Sequence, residues 1–155
     1  MVDVEVIIIS DSNSVFIEMW LTAMKIMDIV KKVYTNPAFF DTSGLLNISM
    51  HHSQTWCDIC PLNLCKGQVL DQYLKDRRKD GISFSSVAYV GDGKNDFCPC
   101  TKLSSDDHVF ARKGYSLEKL LEASSKKETD SKKVLANQFM WRSALDIKDI
   151  LFTVL

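Results

Sequence analysis

The sequence predicts an α/β fold, a three-layer sandwich on a mainly parallel sheet. Strand-like β-branched runs alternate along the chain with segments whose apolar residues recur at helical spacing, which is typical of strands joined by helices that cover a sheet. Polar or glycine-containing turns follow two of these runs, as expected where parallel strands end in loops. The 155 residues, 46% of them hydrophobic, suffice for the core of one domain.

The first half of the chain begins with a predicted strand and helix. Residues 4–9 form a β-branched run that stops at polar residues, which indicates a buried parallel strand. Asn13 or Ser14 is expected to cap the helix that follows. Apolar residues at helical spacing give this helix an apolar face: Phe16, Ile17, Trp20, Leu21 and Met24. Two short strands are predicted after it, at residues 33–35 and 45–50.

The second half continues the alternation. A helix is predicted over residues 63–80, and Gly81 is expected to close it in the left-handed conformation. The remaining predicted elements are a strand at 86–90, a short segment at 97–103 capped by Asn95 or Asp96, a strand at 109–111, a helix from Leu117 towards Ser124, a polar connection at 124–133, a strand at 139–141 and a helix at 145–151.

Composition narrows the classes of partner. Nineteen basic and twenty acidic residues give a net charge of −1, which argues against nucleic acid or an acidic membrane as partner and favours a small ligand. No apolar run approaches the roughly 20 residues of a membrane span. The five cysteines, without a secretory signal, are expected to be thiols or metal ligands in a cytoplasmic protein.

The residues that carry chemistry follow two predicted strands. In parallel sheets the loops after the carboxyl ends of strands form the ligand site, which points to Ser10 and to the loop at 91–96. Asp92, Asn95 and Asp96 lie in that second loop. Two close carboxylates favour a hard cation such as Mg²⁺. The alternative is an ordinary Gly-Asp-Gly turn followed by capping residues.

Several segments resemble haloacid-dehalogenase-type phosphatases. Residues 89–96, YVGDGKND, resemble the fourth motif of that superfamily, residues 7–11, IIISD, resemble the second, and Lys66 matches the third. Within the superfamily, residues 36–38, 60–66 and 112–115 are similar to the pyridoxal phosphate and phosphoethanolamine/phosphocholine phosphatases, with the pyridoxal phosphate branch the more similar. The resemblance spans nearly the whole chain and implies a small phosphomonoester as substrate.

The resemblance also implies a role for each matching residue. Lys66 would be the catalytic residue that neutralises charge on the transferred phosphoryl group. The other implied roles are phosphate binding by Ser10, Asp11 and Asn95, and magnesium binding by Asp92 and Asp96. Taken alone, Lys66 could instead be a solvated lysine at the start of a helix, and Ser10 an ordinary turn residue.

One motif of that family is absent. Its mechanism needs an Asp-x-Asp pair that supplies the nucleophile and the general acid, and no Asp-x-Asp occurs in the sequence. We therefore expect residues 1–155 to form a phosphatase core that is incomplete at the N-terminus, without its first strand and cap, and inactive alone. An open sheet edge could then pair with another chain. A non-catalytic binding or regulatory role is the alternative.

A second candidate site is a loop rich in cysteine and histidine. Its potential zinc ligands are His51, His52, Cys57, Cys60 and Cys65. Three thiolates and one imidazole would suit tetrahedral zinc, which makes a small zinc-binding module a further alternative. The competing interpretation is a packed loop of buried thiols that fixes Lys66. Cys98 and Cys100 are expected to belong to the core.

Overall fold

A computed structural model describes residues 3–126 and 132–154. The described residues form a mixed α/β structure in which most strand pairs are parallel, which confirms the predicted fold class. The chain divides into two compact units, Met1–Cys65 and Lys66–Leu155. Half of the predicted polar connection, residues 127–131, lies outside the described residues. In the part of the chain that is described, every helix is too short or too polar to cross a membrane.

The first unit contains a two-stranded parallel sheet. Strand β1 spans Val6–Asn13 and pairs with β2, Val30–Asn36, with Ile8 opposite Val33. The polar residues after Ile9, predicted to be a loop, therefore belong to the strand, where the register shifts. Strand β1 is half-buried rather than buried, because a two-stranded sheet and one short helix cover only part of its side chains.

Helix α1, Ser14–Ala23, connects these two strands. Of the two predicted caps, Asn13 is the one observed, since its Oδ1 accepts a hydrogen bond of 3.0 Å from the Phe16 N–H. The apolar face of α1 is mostly exposed: Leu21 is buried, whereas Trp20 and Met24 lie more than half in solvent. Helical spacing therefore predicted the helix correctly, but not what the face packs against.

A short hairpin follows β2 in the first unit. Strands β3, Ala38–Phe40, and β4, Leu46–Ile48, pair antiparallel across a turn at Gly44, which has a φ of +83°. Residues 49–65 then contain neither helix nor strand. The buried Asn36 supports the start of this loop, because its Oδ1 accepts hydrogen bonds from the His51 N–H at 3.1 Å and from Asn63 Nδ2 at 3.0 Å.

The second unit is built on a three-stranded parallel sheet. The strands lie in the order β5-β6-β7, and they are β5, Ala88–Gly91, β6, His108–Arg112, and β7, Asn137–Trp141. Among the described residues of this unit, four helices accompany them: α2, Lys66–Lys79, α3, Phe97–Cys100, α4, Ser116–Ser125, and α5, Ala144–Val154. The middle strand forms the core, since Val109, Phe110 and Ala111 are fully buried.

The observed ends of helices α2 and α4 can be compared with the predicted ones. Helix α2 begins at Lys66, three residues later than predicted. It ends at Lys79. Gly81 follows with a φ of +81°, which confirms the predicted left-handed cap, and the N–H groups of Gly81 and Ile82 donate to the carbonyls of Arg78 and Arg77. Helix α4 extends through Ser124, which is buried rather than part of a solvated connection.

Candidate functional site

The loop after β5 is closed by the side chain of Asp96. Strand β5 ends at Gly91, and a 3-10 turn, Lys94–Asp96, leads into α3. Asp96 Oδ2 turns back towards the strand and accepts hydrogen bonds from the N–H groups of Asp92 at 3.0 Å and Gly93 at 2.8 Å. One carboxylate thus holds the backbone that presents Asp92.

The same loop depends on glycine at position 91. A Cβ atom added to Gly91 would lie 2.7 Å from both Cβ and Cγ of Asp96, which is closer than side chains approach one another. The buried Asp96 cannot move aside without losing its hydrogen bonds to the loop. Glycine is therefore required here for close approach of a side chain, rather than for a positive φ.

The other oxygen of Asp96 holds Lys66. Asp96 Oδ1 accepts from Lys66 Nζ at 2.6 Å and from the Tyr89 hydroxyl at 2.8 Å. Only 8% of Lys66 and 4% of Asp96 are exposed, which excludes the alternative that Lys66 is a solvated surface lysine. A buried ion pair of this kind is costly to break, because the remaining charge would have no partner.

Burial and charge act in opposite directions on Asp96. Burial by itself raises the pKa of its carboxyl, but the positive charge of Lys66 and hydrogen bonds from Lys66, Gly93 and Tyr89 outweigh it and hold the pKa below its usual value. Asp96 is therefore an anion at neutral pH, with each oxygen already accepting two hydrogen bonds.

Asp92 has a more open environment. Its side chain is 48% exposed, and its Oδ2 lies 3.9 Å from Arg112 Nη1. Its backbone carbonyl accepts from the Leu117 N–H at 3.0 Å, which ties the loop to the start of α4. The Arg112 guanidinium lies over the rings of Tyr115, at 4.4 Å, and Trp141, at 5.3 Å, and such contacts restrain its position.

The donor chemistry of this loop fits magnesium. Mg²⁺ prefers oxygen ligands and binds through one or two carboxylates while keeping several waters. Asp92 offers a solvent-accessible carboxylate, whereas the oxygens of Asp96 are occupied by four hydrogen bonds. These contacts favour Asp92 as the direct ligand, and the role of Asp96 as a second metal ligand stays a prediction.

The predicted phosphate-binding residues divide between the two units. In the first unit, Ser10 lies in β1, and its Oγ accepts from the Ser12 N–H at 3.2 Å. Asn36 Nδ2 holds the same segment by donating to the carbonyls of Asp11 at 2.8 Å and Ser12 at 2.9 Å. In the second unit, Asn95 is half-buried in the 3-10 turn. The roles of Ser10, Asp11 and Asn95 stay predictions.

Three supporting residues were not predicted from sequence. Tyr89 donates to Asp96, Asn36 holds the segment after Ser10, and Arg112 lies beside Asp92. Each had a weak signal: Tyr89 places a hydroxyl in an otherwise apolar strand, Asn36 precedes a proline at a strand end, and Arg112 ends a short apolar run. These signals do not identify a partner, because each partner is distant in sequence.

The cysteines of the first unit converge, whereas its histidines do not join them. The Sγ atoms of Cys57, Cys60 and Cys65 all lie within 4.8 Å of one another. His52 Nε2 instead accepts from the Cys65 N–H at 2.9 Å, and His51 Nδ1 lies 3.2 Å from the Thr35 carbonyl oxygen. The imidazole expected as a fourth zinc ligand is thus not part of this group of described residues.

Comparison with known proteins identifies relatives of the whole chain. The model of the family described as "Putative Phosphatase" matches residues 1–155. The pyridoxal phosphate phosphatase of Homo sapiens is 42% identical over 141 residues, which are 91% of this chain and 57% of that protein. The pyridoxal phosphate phosphatase of Bos taurus is 47% identical over 115 residues, 74% of this chain and 47% of that protein.

A second kind of phosphatase is also similar. The phosphoethanolamine/phosphocholine phosphatase of Homo sapiens is 38% identical over 144 residues, which are 93% of this chain and 53% of that protein. The chain thus spans about half the length of these curated relatives. No solved structure matches it significantly. The family match and these identities establish that the chain belongs to the "Putative Phosphatase" family of haloacid-dehalogenase-like phosphatases.

Proposed function

We propose that this chain carries the magnesium- and phosphate-binding part of a site that hydrolyses small phosphomonoesters. The observation that carries the proposal is the buried Lys66–Asp96 ion pair of 2.6 Å, in which the same carboxylate also closes the loop that presents Asp92. Through its hydrogen bonds, Asp96 therefore holds both Lys66 and the backbone of Asp92 at the end of β5.

Each residue of the second unit has a distinct part in this proposal. Lys66 donates to phosphoryl oxygens and offsets their negative charge, which grows as the phosphoryl group is transferred. Asp96 is a positioning residue, because it orients Lys66 and the loop through four hydrogen bonds. Asp92 would hold Mg²⁺, which when bound supplies positive charge to the phosphate oxygens.

Phosphate binding would also involve the strand end in the first unit. Ser10 Oγ accepts one hydrogen bond from the Ser12 N–H, so its own hydroxyl hydrogen can be donated to a phosphate oxygen. Asn36 holds the carbonyls of Asp11 and Ser12, and this directs the polar groups of the segment. In the second unit, the amide of Asn95 would position the substrate phosphate.

The names of the relatives suggest the class of substrate. One group is named for pyridoxal phosphate and the other for phosphoethanolamine and phosphocholine, and all three compounds are small phosphomonoesters. We propose the same class for the site to which this chain contributes. The higher identities are with the pyridoxal phosphate phosphatases, which makes pyridoxal 5′-phosphate the first substrate to test.

The 155-residue chain alone is expected to be inactive. Covalent phosphoryl transfer requires a nucleophile and a general acid. In this family an Asp-x-Asp motif supplies both, and no Asp-x-Asp occurs in the chain. The purified chain is expected to release no phosphate above background from pyridoxal 5′-phosphate or phosphoethanolamine with magnesium. Turnover that is abolished by Asp92→Asn would contradict this expectation.

A chimera provides the positive test. The part of the Homo sapiens pyridoxal phosphate phosphatase that this chain does not match would be fused to residues 1–155. The fusion is expected to hydrolyse pyridoxal 5′-phosphate with magnesium, and Asp92→Asn or Lys66→Ala should each lower kcat/KM by at least about 100-fold. Lys75→Ala, on the same helix as Lys66, is the control. If the fusion folds and both site variants retain its activity, the proposal is wrong.

A non-catalytic role is the second candidate, and the missing Asp-x-Asp favours it. In that case the chain would bind phosphate with magnesium without turnover. Titration calorimetry with inorganic phosphate would detect the binding, and Lys66→Ala should weaken it at least about tenfold, since a charge-assisted hydrogen bond is lost. An active chimera together with an unmodified chain that binds no phosphate would rule this candidate out.

Two further expectations stay proposals. Within the described residues, β1 pairs with β2 alone and β5 with β6 alone, so both sheets have edge strands that could pair with another chain. In a solution of the pure chain that partner is a second copy. Light scattering should therefore show a mass that rises with concentration, and a constant monomer mass would contradict it. The expected cytoplasmic location can be tested by cell fractionation.

A further inference from the structure

The loop between β4 and α2 brings three cysteines together without regular secondary structure. Residues 49–65 contain no helix or strand, yet the sulfur atoms of Cys57, Cys60 and Cys65 lie within 4.8 Å of one another. Cys60 and Cys65 are buried, and Cys57 is half-buried. A loop of seventeen residues without regular structure is unusual in a compact unit and needs something to hold it.

A buried glutamine organises the first two cysteines. Gln54 is only 3% exposed, and its Nε2 donates to the carbonyls of Cys57 at 3.2 Å, Cys60 at 3.1 Å and Pro61 at 2.9 Å. Its Oε1 accepts from the Cys57 N–H at 2.9 Å. The backbone at Cys57 and Cys60 is therefore held by one side chain.

Hydrogen bonds also support the sulfur atoms and the third cysteine. The Cys60 N–H donates to Cys57 Sγ at 3.4 Å, a contact that would stabilise negative charge on that sulfur. His52 Nε2 accepts from the Cys65 N–H at 2.9 Å.

We propose that Cys57, Cys60 and Cys65 bind one zinc ion that stabilises this loop. Zinc with Zn–S bonds of about 2.3 Å holds its sulfur ligands roughly 3.8 Å apart in a tetrahedral site, so the observed group needs only a small contraction. The spacings of two and four residues between the cysteines suit such a turn. A water molecule or a side chain from outside residues 49–65 completes the coordination.

A loop of packed thiols is the competing explanation, and the composition of the first unit argues against it. Among described residues, its buried apolar side chains are only Leu21, Cys60, Leu64 and Cys65. Small hydrophobes as few as these contribute little to holding a long loop. A bound metal would supply the stabilising free energy that so small a core does not, because the free energy of metal binding contributes directly to folding.

The metal site has a consequence for the candidate phosphate site but does not rest on it. Cys65 directly precedes Lys66, the first residue of α2. A zinc ion bound to Cys65 would therefore restrict the backbone from which Lys66 extends. The zinc content of the chain is measured without substrate or magnesium, so failure of this proposal is distinguishable from failure of the phosphatase proposal.

The test measures zinc in the full 155-residue chain expressed with added zinc and purified without chelators. Mass spectrometry of the metal is expected to find about one equivalent per chain, and Cys60→Ser should reduce it to below about a tenth. Cys60→His should retain the metal, because imidazole is also a zinc ligand. Cys100→Ser, a cysteine outside the loop, is the control. Wild-type chain without zinc, or Cys60→Ser with full zinc, would overturn the proposal.

A second measurement applies if Cys60→Ser does not fold. The wild-type chain is stripped with a chelator and titrated with Co²⁺, whose thiolate charge-transfer absorption reports on sulfur ligands. Saturation at about one equivalent with at least three sulfur ligands, counted by X-ray absorption, is the expected result. Two or fewer sulfur ligands would contradict the proposed site, as would absorption without the thiolate band.

Discussion

The residue on which the candidate site depends is Asp96. Its two oxygens accept four hydrogen bonds, from Lys66, Tyr89 and the N–H groups of Asp92 and Gly93. A carboxylate has about four lone-pair sites, and the four hydrogen bonds of Asp96 equal that number. Lys66 is consequently held in one place, and the half-exposed Asp92 is the carboxylate of this loop that is open to solvent or a ligand.

Substitution of Asp96 by asparagine tests this arrangement. Asp96→Asn removes the negative partner of a buried ammonium group, and we expect it to lower the free energy of unfolding by about 3 to 5 kcal/mol. Urea denaturation at pH 7 measures the change. The control is Asp92→Asn, whose exposed pair with Arg112 should contribute less than about 1 kcal/mol. Equal effects of the two substitutions would show that the ion pair does not stabilise the fold.

The lowered pKa of Asp96 predicts a pH dependence. A carboxyl whose pKa is lower in the folded state contributes stability that is fully present above its ordinary value of 3.8 and is lost as the pH falls through the folded value. The difference in unfolding free energy between wild type and Asp96→Asn should therefore be constant from pH 7 to 5 and shrink below pH 3.8.

The difference in unfolding free energy between wild type and Asp96→Asn does not include the pH dependence of carboxylates that both proteins share. One of these is Asp41, whose pKa is lowered to about 2 chiefly by hydrogen bonds from Ser43 and Asn47. Denaturation at several pH values between 7 and 2.5 provides the measurement. A difference that stays unchanged through this range would mean that the pKa of Asp96 is the same in the folded and the unfolded protein.

At the scale of elements, the loop after β5 depends on two glycines with different neighbours. A Cβ at Gly91 would lie 2.7 Å from Cβ and Cγ of the buried Asp96, whereas the nearest atom to a Cβ at Gly93 would be Asn95 Oδ1, at 2.9 Å. The first contact is with a fixed group. The second is with the far end of a side chain that can rotate away.

Alanine at these two positions should therefore differ in effect. Gly91→Ala is expected to lower the free energy of unfolding by about 1 to 3 kcal/mol, which is typical of overpacking. Gly93→Ala should cost less than half of that, because Asn95 can yield. Urea denaturation of both variants gives the comparison. If Gly93→Ala is the more destabilising of the two, the close approach at Gly91 is not what constrains the loop.

Most elements could be predicted from sequence to within a few residues, because strand and helix patterns are local. Gly81 and Asn13 were predicted correctly for the same reason, since a helix cap depends on neighbouring residues. The burial of β1 and of the α1 face was not predictable, because burial depends on which distant elements cover a surface. The partners of Asp96 are equally distant, and the sequence indicated only that Asp96 and Lys66 share a site.

At the scale of the whole molecule, the two units differ in the size of their apolar interior. Of the nineteen buried hydrophobic residues among those described, four belong to the first unit and fifteen to the second. The central strand of the second unit and the inward face of α4 include five fully buried side chains: Val109, Phe110, Ala111, Leu117 and Leu121. The second unit should therefore contribute most of the stability.

Hydrogen exchange tests this difference between the units. Amides of β6 are expected to exchange at least about tenfold more slowly than amides of β1 and β2, because opening the larger core costs more free energy. Exchange measured by mass spectrometry on the whole chain resolves the two sets of peptides. Bound zinc would slow exchange in the first unit, so metal-free protein is the required sample. Equal protection of β1 and β6 would refute the expectation.

The position of Trp141 beside Arg112 bears on the fluorescence of the protein. The Trp141 indole donates to the Phe110 carbonyl at 3.1 Å and lies 5.3 Å from the Arg112 guanidinium, which in turn faces Asp92. A change of charge at Asp92 therefore alters the electric field on an indole ring whose orientation is set by a hydrogen bond. Trp20 and Trp56 are exposed, so their emission is a background typical of hydrated indoles. The native fluorescence of Trp141 is therefore expected to change when an ion binds at Asp92, without any added label.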